Sequence, residues 1–174
     1  AIRKIFIVAC GSAYHTGVTA KYVFEKLARI PVEVDLASEF RYRDPILPEN
    51  TLVVIVSQSG ETADTLAALR LAKEKGVRTL GIVNVVGSSI AREADNVMYT
   101  WAGPEIAVAT TKAYSTQLIA QYLLAMKFAK VRGTVSQNDF DAMIQSLERL
   151  PEQISLLLSH KENVQRFANR YLAA

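Results

Sequence analysis

This sequence of 174 residues contains little cysteine and histidine and has a small net charge. Its one cysteine, Cys10, and its two histidines, His15 and His160, exclude a disulfide between its own residues and a cysteine-rich zinc site. Twenty Lys and Arg residues stand against 17 Asp and Glu, and a formal charge of only +3 gives no support for a nucleic-acid partner. The apolar runs are too short to span a membrane. We therefore expect no metal, no nucleic acid and no membrane as partners.

The length and composition predict one compact domain over residues 1–174. Half of the residues are apolar, and a folded chain of this length buries roughly 70% of its extended-chain surface, so neither a disulfide nor a metal is needed for stability. The first residue is Ala1 rather than Met, from which we expect a fragment of a longer multidomain protein. The lone cysteine and the lack of a signal-peptide pattern predict a cytoplasmic location.

Short β-branched runs alternate with longer helical patterns along the chain. We predict strands at residues 5–9, 32–35, 52–56, 79–83 and 96–99, and helices at 14–28, 62–75, 113–130 and 138–172, the last broken before Pro151. This alternation is typical of strand-helix-strand units, and the nearly all-apolar strands suit a sheet that is covered on both faces. The prediction is an α/β fold, a doubly wound parallel sheet followed by a helical tail.

The loop after the third predicted strand is rich in hydroxyl groups. Residues 57–62 read S-Q-S-G-E-T and lead into a helix. Gly60 lets the backbone approach a ligand, and the start of the helix supplies N–H groups and a positive dipole end. Because the loop contains no Lys or Arg, we predict that it binds a phosphomonoester through uncharged hydrogen-bond donors. The alternative is that Ser59 only caps the helix and Thr62 lies in its first turn.

Other candidate groups have simpler interpretations. The loop after the first strand lacks the dinucleotide-binding fingerprint, and the chain has no P-loop, so no nucleotide or other cofactor is expected. We interpret Cys10 as a buried strand-end thiol, Thr111 as a helix cap and Lys112 as an exposed lysine rather than a Schiff base. Glu61 and Asp64 lie where a helix start favours acids for its dipole alone. We therefore predict no catalytic residue and no metal ligand in this chain.

Five stretches of the sequence match one known family. They read C-G-S-A-Y-H at residues 10–15, V-E-V at 32–34 with A-S-E-F-R-Y at 37–42, S-Q-S-G-E-T-A-D at 57–64, N-V-V-G-S-S at 84–89 and E-I-A-V-A-T-T-K-A at 105–113. Together they resemble the sugar isomerase (SIS) region of the glutamine:fructose-6-phosphate amidotransferases, and within it the first of two tandem SIS domains. The resemblance covers essentially the whole chain and implies a flavodoxin-like five-stranded parallel sheet that holds fructose 6-phosphate.

The resemblance also implies which residues bind the sugar phosphate. The phosphate would be bound by Ser57, Gln58, Ser59 and Thr62. Ser12 would keep a hydroxyl near the sugar, and Val108 and Thr110 would line the opposite side. The family commonly has Ser at position 13, so Ala13 removes any side-chain contact there.

The catalytic groups of this family have no counterpart in the sequence. In such enzymes the Schiff-base lysine, the proton-transferring glutamate and the ring-opening histidine belong to the second SIS domain or to a neighbouring subunit. We therefore predict that this chain is part of an aminotransferase that makes glucosamine 6-phosphate, and that the isolated chain is inactive. The predicted partners are a glutaminase domain, a second SIS domain and a second copy in a homodimer.

Two other functions fit parts of the pattern. A non-catalytic SIS domain that senses a sugar phosphate for a regulatory protein would use the same loop. A flavin-binding flavodoxin would also carry a hydroxyl-rich phosphate loop, but that loop follows the first strand of its sheet rather than the third.

Overall fold

The computed structural model describes residues 1–107 and 110–172. The described residues contain a parallel sheet of five strands: β1 (Lys4–Ala9), β2 (Val32–Leu36), β3 (Thr51–Ser57), β4 (Arg78–Val83) and β5 (Asn96–Tyr99). Its strand order is β2-β1-β3-β4-β5, which is the flavodoxin-like order. Every predicted strand lies within one residue of its observed bounds, and the predicted fold is confirmed.

The centre of the sheet is apolar and enclosed on both faces. Strand β3 is buried at all seven positions, and it pairs with β1 so that Ile7 lies beside Val54. On one face Phe6 packs edge-on against Phe40, with ring centroids 6.0 Å apart. This burial explains why the strands are continuous apolar runs rather than alternating ones.

Helices cover the two faces of the sheet in the first part of the chain. They are α1 (Gly11–Val23), which continues as a π-helical turn (Phe24–Ala28), α2 (Ala37–Phe40), α3 (Ala63–Glu74), α4 (Ser89–Glu93) and α5 (Lys112–Arg132). The first helix begins at Gly11 rather than at the predicted Tyr14. The short helices α2 and α4 were not predicted, because one turn of helix has no periodicity to detect.

Residues 135–174 form a compact unit of their own, separate from the unit of residues 1–134. It contains α6 (Gln137–Glu148), α7 (Leu150–Ser159) and α8 (Lys161–Arg170), so the predicted helical tail is confirmed. The predicted break before Pro151 falls at Arg149, and a second break falls at His160. Whether the whole chain acts as one SIS domain stays a prediction.

A membrane-crossing helix must be both long and apolar. Within residues 1–107 and 110–172, no helix combines the length and the hydropathy that such a crossing requires.

Candidate functional site

A cleft of about 480 Å³ opens at the carboxyl edge of the sheet, where the chain leaves β1 and β3. These two strands are neighbours at the point where the strand order reverses, which is where open α/β sheets bind ligands. Six of the seven predicted site residues line the cleft: Ser12, Ser57, Gln58, Ser59, Thr62 and Thr110. The seventh, Val108, lies outside the described residues.

The β3–α3 loop forms one wall of the cleft and directs its hydroxyl oxygens toward its own amides. The N–H of Gly60 donates to Ser57 Oγ at 3.0 Å, and the N–H of Glu61 donates to Ser59 Oγ at 3.2 Å. Ser57 Oγ also lies 3.5 Å from Thr62 Oγ1. The hydroxyl hydrogen of Ser59 therefore remains for a ligand that offers acceptors, and so does that of whichever of Ser57 and Thr62 accepts in their mutual contact.

Helix α3 begins directly behind this loop without a side-chain cap. Thr62 occupies the N-cap position with an extended backbone, but its hydroxyl makes no capping hydrogen bond. Ser59, the other residue considered as a cap, bonds to Glu61 ahead of the helix. The capping alternative therefore does not describe these two side chains. The unpaired N–H groups of the first turn add a partial positive charge at this wall.

The β4–α4 loop and the first turn of α4 hold the β3–α3 loop in place. The N–H of Asn84 donates to the carbonyl of Gln58 at 3.1 Å, and the N–H of Ile90 donates to the carbonyl of Gly60 at 3.0 Å. Gly60 has a φ of +69°, and a Cβ there would lie 2.1 Å from Ser88 Oγ. Only glycine fits both the conformation and the space.

Two acidic residues beside the loop have structural partners. Glu61 accepts a hydrogen bond from the N–H of Ser89 at 2.7 Å, and the hydrogen bonds from Ser89 lower the pKa of the Glu61 carboxyl. Asp64 pairs with Arg41 at 2.7 Å. Both carboxylates are therefore held by partners within the protein, and their lack of a catalytic role stays a prediction.

The opposite wall of the cleft is acidic. Thr110 Oγ1 donates to Glu105 Oε2 at 2.6 Å, and this bond is the main reason that the pKa of Glu105 is lowered. The same oxygen accepts a bond from the N–H of Ala113, at 3.4 Å, in the first turn of α5. Thr111 occupies the N-cap position of that helix, but its side chain makes no capping bond. Thr111 therefore has the predicted cap position, but the prediction that its side chain caps the helix was wrong. The carboxylate of Glu105 accepts a hydrogen bond from the first turn instead.

Three further residues with polar or thiol side chains line the cleft: Cys10, Thr65 and Gln117. Cys10 is only half-buried on its wall and accepts a weak hydrogen bond from Thr65 Oγ1 at 3.6 Å, so the prediction of a buried thiol was wrong. Gln117 reaches the cleft from α5 and is 2% exposed. Sequence reasoning missed Thr65, Glu105 and Gln117. The sequence does contain a signal for Gln117, because this glutamine lies at helical spacing from Ala113 and Ala120 on the buried face of α5.

Charge is sparse around the cleft. Among the described lining residues, Glu105 is the only charged one, and no Lys or Arg is present. Lys112 is exposed, as predicted, and does not line the cleft. No group of three or more His, Cys, Asp or Glu residues within 1–107 and 110–172 is placed to hold a metal ion.

Comparison with known proteins identifies the family. The SIS domain family matches residues 1–127, and the chain therefore belongs to the SIS domain family. It is 62% identical over 170 residues to the glutamine–fructose-6-phosphate aminotransferase (isomerizing) of Caldanaerobacter subterraneus subsp. tengcongensis, and 60% identical over 172 residues to that of Clostridium acetobutylicum. Each match covers 98% of this chain and 28% of the relative, so the chain spans just over a quarter of their length.

A solved structure shows the same likeness. The C-terminal domain of glucosamine-fructose-6-phosphate aminotransferase from Francisella tularensis superposes with a TM-score of 0.92 at 40% identity. The match covers 95% of this chain and 47% of that one. A likeness of this degree to an aminotransferase SIS region confirms the resemblance found from the sequence motifs.

Proposed function

We propose that the chain binds a sugar phosphate in the cleft, with the phosphate on the β3–α3 loop. The observation that carries the proposal is the loop itself: hydroxyls of Ser57, Ser59 and Thr62 gathered at the start of α3, at the strand-order switch point. Phosphates bind at such helix starts through main-chain N–H groups and hydroxyl donors. A site without a lysine or arginine binds a phosphomonoester and releases it readily.

The substrate that the relatives support is fructose 6-phosphate. Aminotransferases whose names include this sugar phosphate are 60–62% identical to the chain. The chain would supply the phosphosugar-binding lobe of the isomerase region of such an enzyme, which makes glucosamine 6-phosphate with nitrogen from glutamine. A glutaminase domain and a second SIS domain would supply the remaining groups, and the isolated chain would not turn over.

The direct test is a titration followed by amide NMR. We expect millimolar fructose 6-phosphate and inorganic phosphate both to shift the amide signals of residues 57–62, and fructose without phosphate to leave them in place. Amides of α6, such as that of Asp141, serve as the internal control. Unchanged signals in residues 57–62 at saturating sugar phosphate would contradict the assignment. Ammonia-dependent synthesis of glucosamine 6-phosphate by this chain alone would contradict its role as part of a larger site.

The alternative functions have less support. The regulatory SIS sensor is a hypothesis that no contact among the described residues favours over the enzyme. Flavin binding has no support, because the hydroxyl-rich loop follows β3 and not β1. The homodimer and the cytoplasmic location stay predictions.

A further inference from the structure

Gln117 carries a buried polar atom that the protein leaves unsatisfied. Its side chain is 2% exposed and borders the cleft, and its Oε1 has no hydrogen-bond partner among residues 1–107 and 110–172. Buried polar atoms without a partner are rare in folded proteins, and each one requires an explanation. The location beside a ligand cleft indicates that the partner arrives with the ligand.

Neighbouring donors are already used within the α1–α5 contact. Gln121 Nε2 donates to Thr16 Oγ1 at 2.7 Å and to the main-chain oxygen of Gln117 at 3.2 Å. The hydroxyl of Thr16 donates in turn to the carbonyl of Ala13 at 2.7 Å. None of these donors is left for Gln117 Oε1. Gln121 Oε1 also lacks a hydrogen-bond partner among the described residues, but Gln121 does not line the cleft, whereas Gln117 does.

We propose that Gln117 is a specificity residue of the cleft, whose side-chain amide binds a hydroxyl of the sugar. This inference rests on the proposed function, since it requires a sugar phosphate in the cleft. The dianionic phosphate group of a phosphomonoester carries no hydrogen, so it cannot donate to Oε1. A sugar hydroxyl both donates and accepts, and it can satisfy either end of the amide. A site that hydrogen-bonds a hydroxyl through a buried group discriminates against ligands that lack that hydroxyl.

The test compares the binding of two ligands to the full 174-residue chain and to three variants of it by isothermal titration calorimetry. We expect Gln117→Leu to weaken fructose 6-phosphate binding about fivefold to tenfold, which is the loss of one hydrogen bond, and to leave the affinity for inorganic phosphate unchanged. Gln121→Leu is the matched control, because Gln121 is equally buried on the same helix but does not line the cleft. It should leave the ratio of the two affinities unchanged.

Thermal unfolding separates binding from folding. Gln117→Leu removes an unsatisfied buried oxygen, so its melting temperature should equal or exceed that of the wild type. Gln117→Ala, with a smaller side chain, should show the same loss for the sugar phosphate alone. The inference is overturned if the Gln117 variants weaken both ligands equally or neither, or if Gln121→Leu changes the ratio as much. A wild type that binds neither ligand overturns the proposed function; a wild type that binds both, with an unchanged ratio in the variants, overturns this inference alone.

Discussion

The two walls of the cleft use the same residue types in opposite ways. On the β3–α3 wall, Ser57 and Ser59 accept hydrogen bonds from loop amides, and the hydroxyl hydrogen of Ser59 remains for a ligand. On the wall before α5, the hydroxyl of Thr110 donates to Glu105 and so has only acceptor capacity left. The first wall suits an anion, and the second suits the hydroxyl groups of a sugar. The role of a hydroxyl group in a sequence motif therefore depends on its hydrogen-bond partner in the fold.

The largest loss of stability and binding is expected from a substitution of Gly60, where the β3–α3 wall has no space for a side chain. In Gly60→Ala the left-handed backbone costs about 1 kcal/mol, and the contact with buried Ser88 adds about 1–3 kcal/mol. We expect a loss of about 3 kcal/mol in the free energy of unfolding by urea titration, and no detectable phosphate binding. Gly76→Ala is the control, because Gly76 has a φ of +73° but a Cβ added there would meet no atom within 4 Å. Equal losses for the two variants would show that the packing against Ser88 is unimportant.

A smaller effect is expected from one hydroxyl of the same wall. Thr62→Val keeps the shape of the side chain and removes one donor to the phosphate. A hydrogen bond to a charged group is worth roughly 1.5–3 kcal/mol, so fructose 6-phosphate and inorganic phosphate should both bind at least about tenfold more weakly by calorimetry. The matched variant Thr19→Val alters an exposed threonine of α1 and should bind like the wild type. Unchanged binding by Thr62→Val would remove Thr62 from the site.

The smallest effect is expected on the acidic wall. Because the pKa of Glu105 is lowered, its carboxyl is ionised at pH 7, and Glu105→Gln removes a full negative charge from the cleft while keeping an oxygen for Thr110. Inorganic phosphate should bind about twofold to threefold more tightly at low salt, and the gain should shrink as salt screens the charge. Fructose 6-phosphate should gain less, since it loses a strong acceptor for its hydroxyls. Glu148→Gln in α6 should change neither affinity. A weaker affinity for inorganic phosphate in Glu105→Gln would contradict this account of the wall.

The fold was predictable because its signals are local. Most of the strands contain a continuous apolar run. A glycine, Gly76, follows α3 and helps to end it: the N–H of Gly76 donates to the carbonyl of Lys73, and the N–H of Val77 donates to the carbonyl of Ala72. The start of α1 was missed by three residues because Gly11, with a left-handed φ of +57°, makes the turn after β1 and the helix follows at once rather than at Tyr14. Short elements such as α2 carry too few residues for a periodic pattern.

The site was predictable only in part, for a physical reason. The loop of residues 57–62 is contiguous in sequence, so its donors are visible together. Glu105 and Gln117 enter the cleft from segments distant in sequence from that loop, and their roles depend on tertiary contacts. The side chains of Glu105 and Thr111 can both accept a hydrogen bond from the first turn of α5. That Glu105 does so and Thr111 does not depends on tertiary contacts, which the sequence does not show.

The most direct measurement is a crystal structure of the chain with fructose 6-phosphate bound. The account predicts that the phosphate oxygens lie within hydrogen-bond distance of the hydroxyls of Ser59 and Thr62 and of the first amides of α3, with the sugar directed toward Glu105 and Gln117. A phosphate bound elsewhere, or bound in this cleft with its sugar end on the β3–α3 loop, would contradict the central claim.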